Sequence, residues 1–196
     1  MSFLLLCCFI LISSCASEPK TASKSDSPFP GGGHEQPCTL YSDGSYFAGM
    51  GIGTAMKKDE AKDLALANAQ KFCAMLMAHS YQGMISDFMQ EIGHNNATDI
   101  ESKISMAGDR IIKAELEDST PTCLEYAYVQ TGQMSGQQGR EVEAYISIRI
   151  DKKKLAAKIA KEVSQSLPAD EKEKIQMDEE KFRERMEKAF EKETGK

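Results

Sequence analysis

Glu141-Val142-Glu143-Ala144-Tyr145-Ile146-Ser147-Ile148-Arg149-Ile150 decides the fold class. Val142, Ala144, Ile146, Ile148 and Ile150 fall on one side of an extended chain. Glu141, Glu143, Tyr145, Ser147 and Arg149 fall on the other. Successive side chains of a strand point to opposite faces, so a period of two describes a strand with one face buried and one wet. Strands of that kind belong to antiparallel sheets. Just upstream, Thr122 to Gln130 sets Leu124, Tyr126 and Tyr128 against Cys123, Glu125, Ala127 and Val129, a second strand. Gly132 to Gly139 between them is a long hairpin loop. Further back, Ser45 to Ile52 sets Tyr46, Ala48, Met50 and Ile52 against Phe47, Gly49 and Gly51, and Gly49, Gly51 and Gly53 lead into a turn.

Helices separate these strands. Glu60 to Tyr81 holds no Gly or Pro. Its Ala61, Ala65, Ala69, Phe72 and Leu76 recur at helical spacing and are expected to face the core, where small residues let helix and sheet approach closely. Asp59 or Thr54 is placed to cap this helix. Residues 83–98 carry the turn signals Gly83, Gly93, Asn95 and Asn96 and read as an irregular segment with room for a short strand. A second helix is expected from Asp99 to Glu117, with Ile100, Ile104, Ile111 and Leu116 inward, Ala107 and Gly108 at a close contact, and Pro121 as its stop. The fold class is therefore α+β: an open-faced sandwich, mainly an antiparallel sheet with helices packed on one face.

From Asp151 on the composition shifts, residues 151–196 holding 13 Lys/Arg and 12 Asp/Glu. Leu155, Ile159 and Val163 make a thin stripe on one helix. Beyond Pro168, Phe182, Met186, Ala189 and Phe190 make another. So narrow a stripe suits a helix lying solvated on the domain or offered to a partner, and Phe182, Met186 and Phe190 are the candidate partner contacts. The expected division is a body at 38–166 and a dispensable charged helical tail at 167–196.

The other end of the chain reads as an address. Residues 2–14 are uncharged, and Phe3 to Ile12 form an apolar run that suits a secretory signal but is too short to span a bilayer. Ile12-Ser13-Ser14-Cys15 resembles a bacterial lipobox. The resemblance implies cleavage before Cys15 and acylation of that residue, with two or more chains giving stable anchoring. Residues 15–37, rich in Ser, Pro, Lys and Gly, then form a flexible tether.

Composition bounds the function. The chain has 196 residues, a net charge of −6, 41% hydrophobic and 28% charged residues, which suits one globular domain with polar tails. The acidic balance argues against a nucleic-acid partner. Gly49-Met50-Gly51-Ile52-Gly53-Thr54 sits where a dinucleotide fingerprint would, but the third glycine is misplaced and no second strand with a terminal acid follows. His34, His79 and His94 are scattered, so no metal site is expected. No nucleophile motif appears, and Asp87, Asp99, Glu101 and Asp109 read as a solvated face; no catalytic residues and no cofactor are expected. Met75, Met77, Met84, Met89 and Met106 read as core filler. Cys38, Cys73 and Cys123 remain after the signal. Cys73 could meet Cys123 across the helix–sheet layer, Cys38 competes as a partner, and a chain with no bridge is equally open.

Tyr46-Phe47-Ala48-Gly49-Met50-Gly51-Ile52-Gly53, the Ala-rich helix from Glu60-Ala61 through Ala69, and Tyr145 to Lys152 together resemble the LPP-twenty lipoprotein family. Gly83 to Phe88 and Asp99 to Lys103 resemble a subgroup of it in Bacteroidetes-type bacteria. The resemblance implies an outer-membrane lipoprotein without catalytic residues. Ala16 after the anchor, where Asp would resemble an inner-membrane retention signal, favours the outer membrane. A lone acid nearby, Glu18, favours its periplasmic face. Asp118-Ser119-Thr120 resembles an O-glycan acceptor of such bacteria, although a plain helix end explains it more simply. The expected role is structural or protein-interacting, with the membrane and an envelope protein as partners. The alternative is a small-ligand binder with a pocket between sheet and helices lined by Met50, Phe72, Tyr126 and Tyr128.

Overall fold

Strand alternation and helical periodicity become the order β1 (Tyr46–Ala55), α1 (Lys58–Ile92), α2 (Ala97–Glu117), β2 (Cys123–Gln130), β3 (Arg140–Asp151), α3 (Lys152–Ser166), α4 (Ala169–Lys174) and α5 (Glu179–Lys192). The structure is a computed structural model that describes residues 37–93, 97–130 and 140–193. The fold is α+β, a three-stranded antiparallel sheet of order β1-β3-β2 with helices against it. Tyr46 pairs with Asp151 and Ala55 with Val142, while Cys123 pairs with Ser147 and Gln130 with Arg140. Residues directly opposite one another share a face. Phe47, Gly49, Gly51 and Gly53 therefore lie on the same side as Val142 through Ile150 at alternate positions, and as Leu124, Tyr126 and Tyr128. That is the side α1 occupies.

β1 runs three residues past its expected end, because its glycines are strand residues facing a helix and not a turn. A Cβ on Gly49 would sit 2.8 Å from the Cys73 Cβ. A Cβ on Gly51 would collide with the Ala65 carbonyl and the Ala69 amide, and one on Gly53 with the Ala61 carbonyl. The helix answers with Ala61, Ala65, Ala69 and Cys73, all fully buried. Spacing of four advances about 40° per step round a helix, so the contact line winds along α1 instead of holding one side. Cys73, Met77 and Tyr81 continue it. Phe72, expected inward, lies off the line and is 42% exposed.

The irregular segment expected at 83–98 is helix as far as Ile92. Met84, Ile85, Phe88 and Met89 continue the buried face of α1, and Gly83 points to open space, where a missing side chain costs the helix little packing. Helix propensity at one exposed glycine loses to two turns of buried apolar contact. Lys57 stands at the start of α1 without a side-chain cap, so neither Asp59 nor Thr54 serves as one. In α2, Ile100, Ile104, Ile112 and Leu116 are buried and Ile111 partly so. Its close contact is Gly108: any Cβ there would overlap the Tyr81 ring, whose hydroxyl donates to the Ile104 carbonyl at 2.6 Å.

The C-terminal helices correct the expected boundary at residue 166. Phe182, Met186 and Phe190 are 1%, 0% and 0% exposed and belong to the main core. Phe190 meets Phe47 edge-on at 5.1 Å between ring centres, and Phe182 meets Phe88 at 5.2 Å. Leu155, Ile159 and Val163 are equally buried, since α3 lies between α2 and α5. The stripes are narrow because each helix presents a single edge to a core already built by α1, not because they await a partner. Asp151 and Asp178 cap α3 and α5 by accepting from the Lys154 and Lys181 amides at 3.0 Å.

Three substitutions test this packing by urea denaturation. Gly51→Ala forces α1 off the sheet and should cost about 1–3 kcal/mol or more. Gly83→Ala meets nothing and should stabilise by about 0.5–1 kcal/mol. Phe190→Ala empties a filled core and should cost about 3–5 kcal/mol; a value near zero would return the tail to the surface.

Candidate functional site

The sheet's second face carries Tyr46, Ala48, Met50, Ile52 and Thr54 from β1, Glu143, Tyr145, Ser147 and Arg149 from β3, and Cys123, Glu125, Ala127 and Val129 from β2. Residues 37–45 form a strap across it. At the β1 edge, Ser42 Oγ accepts from the Ala48 amide at 2.9 Å, and the Asp43 amide donates to the Tyr46 carbonyl at 3.0 Å. The Leu40 amide donates to Met50 Sδ at 3.0 Å. At the far side of the sheet, Cys38 is bonded to Cys123, the first residue of β2. The strap therefore runs from one edge strand to the other over β3, and Ser147 beneath it is buried.

The disulfide is thus Cys38–Cys123, with Cα atoms 5.5 Å apart, and Cys73 is a free buried thiol. The pairing of Cys73 with Cys123 is excluded by the pleat. Cys123 shares the face of Ser147 and Met50, whereas Cys73 meets Gly49 on the α1 side. Burial pushes the Cys73 thiol up to about 12, so it carries almost no thiolate at neutral pH. Cys38 adopts a left-handed φ of +58°, an uncommon conformation for a non-glycine residue that Gln176, at +47°, shares.

A second fastening was not legible in the sequence. Lys152, first residue of α3, is 1% exposed. Its Nζ donates to the Asp43 carbonyl at 2.6 Å and to the Glu193 carbonyl at 2.7 Å, and lies 4.7 Å from the centre of the Phe47 ring. One cation joins the strap, the end of α5 and the sheet. Burial draws its pKa down, opposed by the charges of Asp43, Glu193 and Glu191. A lone Lys in a run of three gives no signal of this; only the fold brings the two carbonyls to it. Asp43 itself accepts from the Ser45 and Tyr46 amides at 2.7 and 2.8 Å, which hold its carboxyl below the usual carboxylate range.

The remaining expected sites separate. Cys15, His34, His94 and the loop 132–139 lie outside the described residues. Phe182, Met186 and Phe190 are core and offer a partner nothing. Met50 lies on the strap side, while Tyr126 and Tyr128 lie on the α1 side beneath Lys58 Nζ, 5.3 and 5.7 Å from their ring centres. These two tyrosines, Met50 and the exposed Phe72 line no common pocket. His79, Asp87, Asp99, Glu101 and Asp109 are exposed, and Asp99 pairs with Lys103 at 2.9 Å. Met77, Met84 and Met89 fill the core, but Met75 and Met106 are exposed. Ser119 Oγ is engaged with the Leu116 carbonyl at 2.6 Å, as a helix end requires. A cleft of about 280 Å³ does open elsewhere, between the end of α1, α4 and α5, with Lys174, Lys181 and Arg185 among its lining residues. Arg185 is committed there to a two-point pair with Glu91, at 2.5 and 2.7 Å.

No family model, no curated protein and no solved structure matches this chain.

Two measurements test the strap. Peptide mapping without reduction should recover Cys38 linked to Cys123, and iodoacetamide at pH 8 should leave Cys73 unmodified until the chain is unfolded. Asp43→Ala should lower stability at pH 7. Because the folded-state pKa of Asp43 is depressed, its contribution is present above the ordinary value of 3.8 and is lost as pH falls through the lowered one. The gap between wild type and variant should therefore close in strong acid.

Proposed function

We propose that this chain is a lipoprotein held at the bacterial outer membrane through Cys15, with a non-enzymatic body that serves as a structural or protein-interaction module of the envelope. The observation that carries the reading is Ile12-Ser13-Ser14-Cys15 behind an apolar run, followed by a low-complexity tether that ends where the strap begins. The Cys38–Cys123 bridge supports export, since such bonds persist in oxidising compartments. It also suits a leashed body: a pull on residues before Cys38 reaches β2 through a covalent bond and does not peel β1 from the sheet. The resemblance to LPP-twenty lipoproteins supports the same reading, with the periplasmic side favoured.

The surface for a partner differs from the one the sequence suggested. With α5 buried, the exposed large apolar side chains include Leu64, Phe72 and Met75 on α1 and Leu124 and Tyr128 on β2. The alternative, a small-ligand binder, loses its pocket between sheet and helices, where glycine and alanine leave no room. The cleft beside α4 and α5 is what keeps that second reading in play.

Cys15→Ser should abolish labelling by a fatty-acid probe and move the protein from the membrane to the soluble fraction. An unchanged membrane fraction would contradict the anchor. Crosslinking in cells should then lose a specific product when Phe72 and Met75 are replaced by serine.

A further inference from the structure

Cys38 Sγ, Cys123 Sγ and a Glu125 carboxylate oxygen lie within 4.8 Å of one another. We propose that these three residues form a redox-gated site for a divalent zinc ion, which fastens the strap when the disulfide is reduced. In the bridged chain the two sulfurs are bonded to each other, and the carboxylate already stands beside the pair. Tetrahedral zinc with bonds of about 2.3 Å to sulfur and 2.0–2.2 Å to oxygen sets its sulfurs about 3.8 Å apart and each sulfur about 3.6 Å from the oxygen. Cys123 Sγ is 4.0 Å from Glu125 Oε1, and the Cα atoms of the two cysteines are 5.5 Å apart, so that once the bond is reduced rotation about their side-chain bonds is what must open the sulfurs to the zinc distance. Glu125 is positioned by the pleat: two residues beyond Cys123, it shares that residue's face, opposite Tyr145 on β3. Glu143, on the same face, adds negative charge close by and is hydrogen-bonded by the Tyr145 hydroxyl. Cys38 and Cys123 are half-buried and Glu125 is exposed, so the fourth position opens to solvent and can take a water.

The chemistry closes. A dithiol delivers two electrons and two protons to the bridge; its own sulfurs join as a disulfide, and Cys38 and Cys123 become thiols. Zinc then binds both sulfurs and the Glu125 carboxylate, and the two thiol protons pass to solvent. In the oxidised chain neither sulfur has a thiolate to offer, so the bond and the ion exclude each other. The strap is fastened at the same point in both states, covalently in one and by coordination in the other.

The test uses the full chain with Cys7, Cys8 and Cys15 replaced by serine, so that no thiol outside the described residues competes. After reduction by a phosphine and its removal without oxygen, zinc is titrated against a chromogenic chelator. The expected result is one ion per chain, bound at least a hundredfold tighter than by Cys38→Ser and at least tenfold tighter than by Glu125→Gln, with no binding by the oxidised chain. Cobalt in place of zinc should give the thiolate charge-transfer and ligand-field bands of a tetrahedral sulfur-bound ion. Zinc should also raise the melting temperature of the reduced chain and protect its strap from protease. Cys73→Ser should change none of the metal readouts. Binding to the reduced chain no tighter than to Cys38→Ser, or a cobalt spectrum without thiolate bands, would overturn the site. Equal affinity in Glu125→Gln would overturn the role of the carboxylate.

Discussion

Everything in this body is arranged around the bare face of β1. Gly49, Gly51 and Gly53 remove three side chains from one strand, and Ala61, Ala65, Ala69 and Cys73 present the smallest possible surface from the helix opposite. Backbone lies almost on backbone. That proximity fixes where α1 crosses the sheet. It also removes the volume in which a ligand pocket between sheet and helix could have formed. Contacts of this kind are intolerant, because neither a carbonyl nor an amide of a helix can move aside as a flexible side chain can.

The remaining helices follow from the length of α1. Its 35 residues extend well beyond the sheet, and the overhang carries Tyr81, Met84, Ile85, Phe88 and Met89, which the sheet cannot cover. α2 covers them on one side through Tyr81 and Gly108. α5 covers them on another through Phe88 and Phe182, and returns to the sheet through Phe190 and Phe47. α3 closes the gap between α2 and α5. The charged C-terminal segment is thus the last piece of one core. Lys152 ties its end to the strap on the far side of the molecule, so both ends of the described chain meet at one buried cation.

Local patterns carried most of the architecture. The alternation in β3 and β2 gave face and direction, and the Ala spacing in α1 gave the close approach that the glycines then complete. Gly108 was legible as a contact but not as the seat for Tyr81, which depends on a residue 27 positions away in the chain. Local pattern does not carry context. Gly83 and Gly93 looked alike as helix breakers, yet only Gly93 adopts a left-handed φ, of +76°, and ends α1. Phe182, Met186 and Phe190 looked too sparse to be core because a stripe's width says nothing about how much core already awaits it. The pleat could exclude Cys73 as the partner of Cys123, but it does not choose between a bridge to Cys38 and no bridge. That exclusion needs the face of Cys123 to be the one away from α1, which the alternation of β2 by itself does not say. Lys152 and the strap had no signal at all, since backbone carbonyls leave no mark in a sequence.

Native-state hydrogen exchange tests this account most directly. If α5 completes the core that the β1–α1 contact organises, the amides of α1 from Ala65 to Met77, of β3, and of α5 from Phe182 to Phe190 should exchange with the same free energy, that of global unfolding. Amides of α5 exchanging through a separate opening, well below the global value and insensitive to substitution at Gly51, would show that the C-terminal helix is an attachment, and the account would fail.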